Sequence, residues 1–189
     1  MSEVHVTETG GMNLERANRL LAGLGDNGSS IHKAVYNALK RAAESGKTQA
    51  GRYAAEKYTI SKGQFMSHVR AKVRQSGGSE GVDSVTIMFA GQVIPLIEFH
   101  TRFSKSGGIS ATVKRGEGGV LEHAFILNKT GVNVYERVTS SRLPIEKKYG
   151  PSAAHMMQNP DVIENMDEHI TKVFNERIEH EITRILNGW

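Results

Sequence analysis

The chain has no cysteine among its 189 residues. That absence excludes disulfides, thiolate nucleophiles and cysteine-ligated zinc or iron–sulfur centres together, leaving histidine and carboxylates as the side chains for any metal. Long apolar runs are missing too, and nothing approaches the ~20 residues needed to span a bilayer. No membrane partner is expected. The opening residues, MSEVHVTETGGMN, carry acids and lack an apolar segment, so they read neither as a secretory signal nor as a transit peptide. Synthesis and assembly in the cytoplasm are the expectation.

Several catalytic signatures are also lacking. There is no HExxH pair, and the glycine-rich run KRGEGG lacks the Gly-Lys-Ser/Thr ending of a phosphate loop. That run reads as a hairpin tip. His169 and His180 share a helix face, yet at ~1.5 Å of rise per residue they lie about 16 Å apart, too far for one ion. Glu98 and His100 alternate onto one side of an expected strand and are the nearest thing to an acid/base pair. Neither catalysis, metal nor cofactor is expected.

What is present suits a soluble globular chain, with 38% apolar and 23% charged residues. The net charge of +4 is mild, but its distribution is uneven. Residues 33–74 hold ten Lys and Arg against Glu44 and Glu56, whereas residues 161–181 hold seven Asp and Glu against Lys172 and Arg177. Opposite faces on one subunit suit head-to-tail packing into a ring; a basic face also suits nucleic acid.

Along the chain, residues 1–28 read as a polar arm followed by a short helix begun by Asn13. Residues 29–189 read as one α+β domain. A long helix starts at Ser29 and Ser30 and carries an apolar stripe of Ile31, Val35, Ala38, Leu39, Ala42, Ala50, Tyr53 and Ala54, with Gly46 as its weak point. A shorter helix begins near Ser61 with Phe65 and Met66. From Val69 to Val138 the period becomes that of strands: HVRAKVRQ, SVTIMFAG, QVIPLIEF, ISATVKR, AFILN and VNVYERV, separated by the flexible loops SGGSEG, SKSGG and RGEGG. They predict an antiparallel sheet of hairpins. Asn159-Pro160-Asp161 opens the last helix, whose stripe is Ile163, Met166, Ile170, Val173, Phe174, Ile178, Ile182 and Ile185, with acids clustered where the helix dipole favours them.

Between sheet and last helix lies RLPIEKKYGPSAAHM. Pro144 biases Leu143 toward an extended conformation, so Leu143 and Ile145 are expected as anchors, and Gly150-Pro151-Ser152 turns the chain into a helix. Met156 and Met157 read as one core filler and one adaptable contact. The stretch is expected to be a structural elbow beside a basic, partner-facing surface. Arg70, Lys72 and Arg74 form an alternating basic row able to track phosphates without reading bases.

The order of features resembles the phage minor tail protein Z family, tail-completion proteins of long-tailed phages and prophages. The resemblance rests on KAVYNALKRAAE, IPLIEF, the AFI run, YERV followed by RLPIEKKYGPSAAHMM, and a long C-terminal helix. It spans roughly residues 30–187 and is most specific from His123 to Met157. It implies a non-enzymatic virion component, a tail terminator at the head-proximal end of the tail. There it is expected as a ring of six, bound to the tail tube protein and the head–tail connector. It supplies no catalytic residues. The glycine-rich loops replace the strongly basic middle region of some members, which counts against direct contact with DNA in the lumen. Candidate partner-interface residues are Arg102, Lys105, Lys114, Arg115, Lys147, Lys148, Met156 and Met157. The alternative is a non-specific DNA-binding protein at the portal end of the tail.

Overall fold

A computed structural model describes residues 2–7, 29–76, 84–105, 107–128 and 131–187. Helices make up 46% and strands 35%, and the strand pairs are antiparallel, so the class is α+β as expected. The short helix expected after Asn13 lies outside the described residues, as do residues 77–81 of the SGGSEG loop and the second half of the expected arm. Residues of that arm, Ser2–Thr7, form a strand, β1, rather than a free segment.

The chain divides into two compact units, each built from separate stretches of sequence. One unit takes residues 2–50, 71–89 and 163–189. It contains most of helix α1 (Ser29–Lys57), the greater part of β2 (Arg70–Ser76) and β3 (Ser84–Ala90), and the body of the last helix, α4 (Pro160–Leu186). The sheet order is β1-β3-β2, with β1 antiparallel to β3 in a register that sets Val4 opposite Ile87. Val85, Ile87 and Phe89 alternate along β3 and are each at most 1% exposed, so one face lies in the core, and Met88 at 9% is covered on the other face as well. Burying a side chain such as Phe89 contributes about 1.5–3 kcal/mol.

Gly46 explains how the two long helices and this strand meet. A β-carbon there would lie 2.6 Å from Ile170 Cγ1 and 3.5 Å from Ile87 Cδ1. The glycine is therefore a point of close helix approach, not merely a soft spot in α1. Its small neighbours Ala38, Ala42, Ala43 and Ala50 are fully buried. On α4 the buried line is Val162, Met166, Ile170, Phe174 and Ile178. Ile163, expected in that line, is 39% exposed instead, because a strict four-residue step places Val162 inward.

The other unit takes residues 51–70 and 90–162. A capping box opens its helix α2 (Lys62–His68): Ser61 Oγ accepts from the Gln64 amide, while the Ser61 amide donates to Gln64 Oε1. Instead of one sheet, three small ones follow: β10-β9-β8, β11-β4 and β5-β6-β7. Their strands are β4 (Val93–Pro95), β5 (His100–Phe103), β6 (Ile109–Lys114), β7 (Glu117–Leu121), β8 (Ala124–Asn128), β9 (Val132–Arg137), β10 (Ile145–Lys147) and β11 (Tyr149–Ser152). QVIPLIEF does not form one strand, because Pro95 has no amide to continue the ladder and a 3-10 turn, Leu96–Glu98, follows it.

Ile94, Leu96, Phe99, Ile109, Val134 and the two methionines Met156 and Met157 build the core of this unit, each at most 5% exposed. Ser152 caps the short helix α3 (Ala153–Met156) through the His155 amide, and Asn159 Oδ1 accepts from the Asp161 amide at the start of α4, where Pro160 suits the first helical position.

Candidate interaction surface

The eight candidate residues divide sharply by environment. Met156 and Met157 are 0% and 1% exposed, which corrects the expectation that either meets a partner: α3 turns both into the core. Leu143 goes the other way. It is 67% exposed in the connection between β9 and β10, and Val138 in the same connection is 51% exposed, so Leu143 is not an anchor. Ile145 enters β10 opposite Arg137 and is half-buried.

Arg115 belongs to the architecture of its own unit. Its backbone amide donates to Lys57 O at 2.8 Å and its Nε to Ala55 O at 3.1 Å, so it satisfies carbonyls at the end of α1 that have no partner within the helix. The Thr59 amide donates to Val113 O at 3.0 Å, and Thr59 Oγ1 donates to Thr112 O. The β6–β7 hairpin is thereby sewn to the chain leaving α1. Gly116, at the second position of its two-residue turn, has φ +82°.

Across that turn Lys114 Nζ meets Glu117 Oε1 at 2.7 Å. The hydrogen bond to Glu117, reinforced by its charge, holds the Lys114 ammonium above its ordinary pKa. Lys57 pairs with Asp161 at 2.8 Å, and this contact holds the Asp161 carboxyl below the usual aspartate value.

Lys148 is likewise engaged within the unit. Its Nζ lies 2.7 Å from Glu136 Oε2, its amide donates to Val134 O, and its carbonyl accepts from the Leu96 amide. The Lys147 ammonium sits 5.2 Å from the Tyr149 ring centroid, within cation–π range.

Arg102 and Lys105 remain. Both are exposed, and among the described residues neither has an ion-pair partner. Between them Phe103 is 74% exposed, although Ile109 opposite it in the ladder is fully buried. The turn that follows contains Gly107 and Gly108, with φ +95° and +77°. Gly108 has no room for a side chain, since a β-carbon would lie 2.2 Å from Leu121 O. A closely packed glycine thus sits at the end of a hairpin that exposes Phe103, with Arg102 and Lys105 near it in sequence and also exposed. Sequence reasoning selected the cations and passed over the ring, because alternation in IEFHTRFS places Phe103 on the same face as an inward residue.

The strand alternation that would have set Glu98 beside His100 is absent. Glu98 lies in the 3-10 turn and its Oε1 is 2.8 Å from His68 Nε2, while His100 is exposed on β5. The reason is a boundary: the 3-10 turn ends at Glu98 and β5 begins only at His100, while His68 ends α2 rather than starting the strand HVRAKVRQ. This pair adjoins an open pocket of about 340 Å³ lined by Ser67, His68, Arg70, Ala90, Gly91 and Gln92. In the other unit, Ser45 Oγ and His169 Nε2 are 2.8 Å apart, so His169 is not a simple surface histidine. Lys72 and Arg74 are exposed at alternate positions of β2, as the row was expected to be.

Among the described residues no group of three or more His, Asp or Glu is placed to hold a metal, and no helix is long and apolar enough to cross a membrane. No protein-family model, curated protein or solved structure matches the chain.

Proposed function

We propose that the protein is a non-enzymatic virion subunit, a tail-completion or tail-terminator protein at the head-proximal end of a long phage tail. In this reading it assembles in the host cytoplasm as a ring, with six subunits as the working number. One side meets the tail tube protein and the other the head–tail connector. The resemblance from His123 to Met157 carries the proposal. The α+β class is consistent with it, and so is a hairpin end whose Arg102, Phe103 and Lys105 are exposed together.

The test is the mass of the purified protein by light scattering across concentration and salt, alone and with purified tail tubes, with electron microscopy of the products. Closed rings, free or seated on tube ends, are the expected result. A protein that stays monomeric and leaves tubes uncapped would overturn the reading.

A second reading, non-specific binding of DNA at the portal end of the tail, is favoured by the exposed Lys72 and Arg74 on β2. Phosphate contacts release counterions, so this reading expects duplex affinity that falls steeply with salt. Absence of binding at low salt would eliminate it.

A further inference from the structure

Phe103 is unusual less for its exposure than for its frame. An exposed ring at a hairpin end, with Arg102 before it on the opposite strand face and Lys105 two residues after it beyond the strand, has the composition of an interface anchor: an aromatic group with cations close by in sequence. Glu122 follows β7 with its backbone against Gly108, leaving two cations to one acid at this end of the β5-β6-β7 sheet.

The same chain carries a counterpart of opposite sign. On the first turns of α4, Ile163 is 39% exposed and Glu164, Asp167 and Glu168 are exposed beside it. Residues three and four apart share a helix face, so Ile163 with Asp167 and Glu164 with Glu168 form one four-sided patch: an aliphatic centre with an acidic rim. Residues 161–171 hold four acids and no Lys or Arg. Asp161 is paired with Lys57, whereas the other three have no ion-pair partner among the described residues.

We propose that the Arg102–Phe103–Lys105 hairpin end of one copy docks on the Ile163 patch of a second copy, with Phe103 against Ile163 and the two cations facing Glu164, Asp167 and Glu168. The two surfaces differ, so the contact is head-to-tail and each copy retains one free surface of each kind. Such a contact propagates until the rotation closes it into a ring. The inference rests on the ring-forming reading above and names the surfaces that close it. A nucleic acid strand is a weaker occupant, because the hairpin end offers one ring and two cations where a strand needs successive stacking platforms along a basic groove.

Because the chain has no cysteine, Lys105→Cys and Asp167→Cys each introduce a single thiol on the rim and leave Phe103 and Ile163 in place. The two variants are prepared separately and mixed under mild oxidation, so that a bond between the thiol of one and the thiol of the other joins two copies. A disulfide requires α-carbons about 4.4–6.8 Å apart, so only direct contact gives a product. The expected result is a mixed dimer in several-fold excess over either self-linked product. Circular dichroism confirms that both variants fold.

In parallel, Arg102→Glu with Lys105→Glu should weaken self-association of the otherwise unchanged chain about tenfold or more, and Asp167→Lys with Glu168→Lys in the second copy should restore it. If the wild-type protein forms rings but no mixed dimer appears, the contact is overturned and the ring reading stands. If the wild-type protein never self-associates, with or without tail tubes, both fall. If the charge reversal at the hairpin end abolishes binding to a labelled single-stranded oligonucleotide while self-association is unchanged, the hairpin end is a nucleic-acid surface and the proposal fails.

Discussion

Single residues here are decided by the space and charge around them. Gly108 combines a left-handed φ of +77° with a carbonyl where a β-carbon would go, so Gly108→Ala is strained in two ways at once. We expect a loss of roughly 1–3 kcal/mol, read as a lower urea midpoint at unchanged slope. Gly107→Ala should cost less, because φ is also positive there but the space is open. Equal losses would remove the contact argument. Asp161 shows the effect of charge. Lys57 lowers its pKa, so the pair stabilises the fold above the ordinary aspartate pKa, and that contribution is lost as pH falls through the lower, folded value. A carboxyl NMR titration should give a midpoint below the usual aspartate value in the wild type and nearer it in Lys57→Met. Both groups are well exposed, so the stability difference between these proteins should be small and should vanish in acid. A titration unchanged by Lys57→Met would show that the pairing is not the cause.

At the level of elements, Arg115 separates an architectural role from a docking one. Its guanidinium donates to the end of α1, so Arg115→Ala should lower stability by about 1 kcal/mol and leave self-association of the folded protein unchanged. A variant of wild-type stability with weakened association would return Arg115 to the interface. The elements themselves were largely legible, for physical reasons that also mark where legibility ends. Ser61 with Gln64, Ser152, and Asn159 with Pro160 are local signals, and each opens a helix where its chemistry demands. The hairpin at KRGEGG follows equally from its glycines. Boundaries that depend on distant partners were not legible. His68 ends α2 and turns to Glu98, thirty residues away in sequence. Pro95 breaks a run whose hydrophobicity reads as one strand, and the strands divide among four small sheets rather than one. The inward step at Val162 instead of Ile163 is a one-residue phase difference that a period of 3.6 does not fix. In the candidate surface, charge was legible and burial was not: Met156 and Met157 are core, while Phe103 and Leu143 are exposed.

On the scale of the whole molecule, only the acidic side of the charge asymmetry along the sequence enters the proposed contact, since Arg102 and Lys105 lie outside the basic stretch. Basic residues dominate 33–74 and acids dominate 161–181, yet several of the basic side chains first considered for docking are satisfied within their own unit. What stays available is smaller and more specific: Phe103 with two cations close by in sequence, and an acidic rim around Ile163. Rim charges steer and orient association while the apolar centre supplies most of the affinity. Added salt should therefore weaken assembly without abolishing it, because at about 1 M the screening length is only about 3 Å but the apolar contact persists. Association also links to stability, since a partner that binds only the folded chain stabilises it by mass action. Above the dissociation constant, a hundredfold rise in protein concentration adds about 2.7 kcal/mol per contact, or roughly 5–10 °C in Tm for a chain of this size. We expect that rise at low salt, a smaller one at about 1 M salt, and almost none in Phe103→Ala. A Tm independent of concentration in the wild type would mean that the free protein does not associate in solution, leaving the tail tube as the only template on which the ring could form. A rise that Phe103→Ala leaves intact would place the contact elsewhere on the molecule.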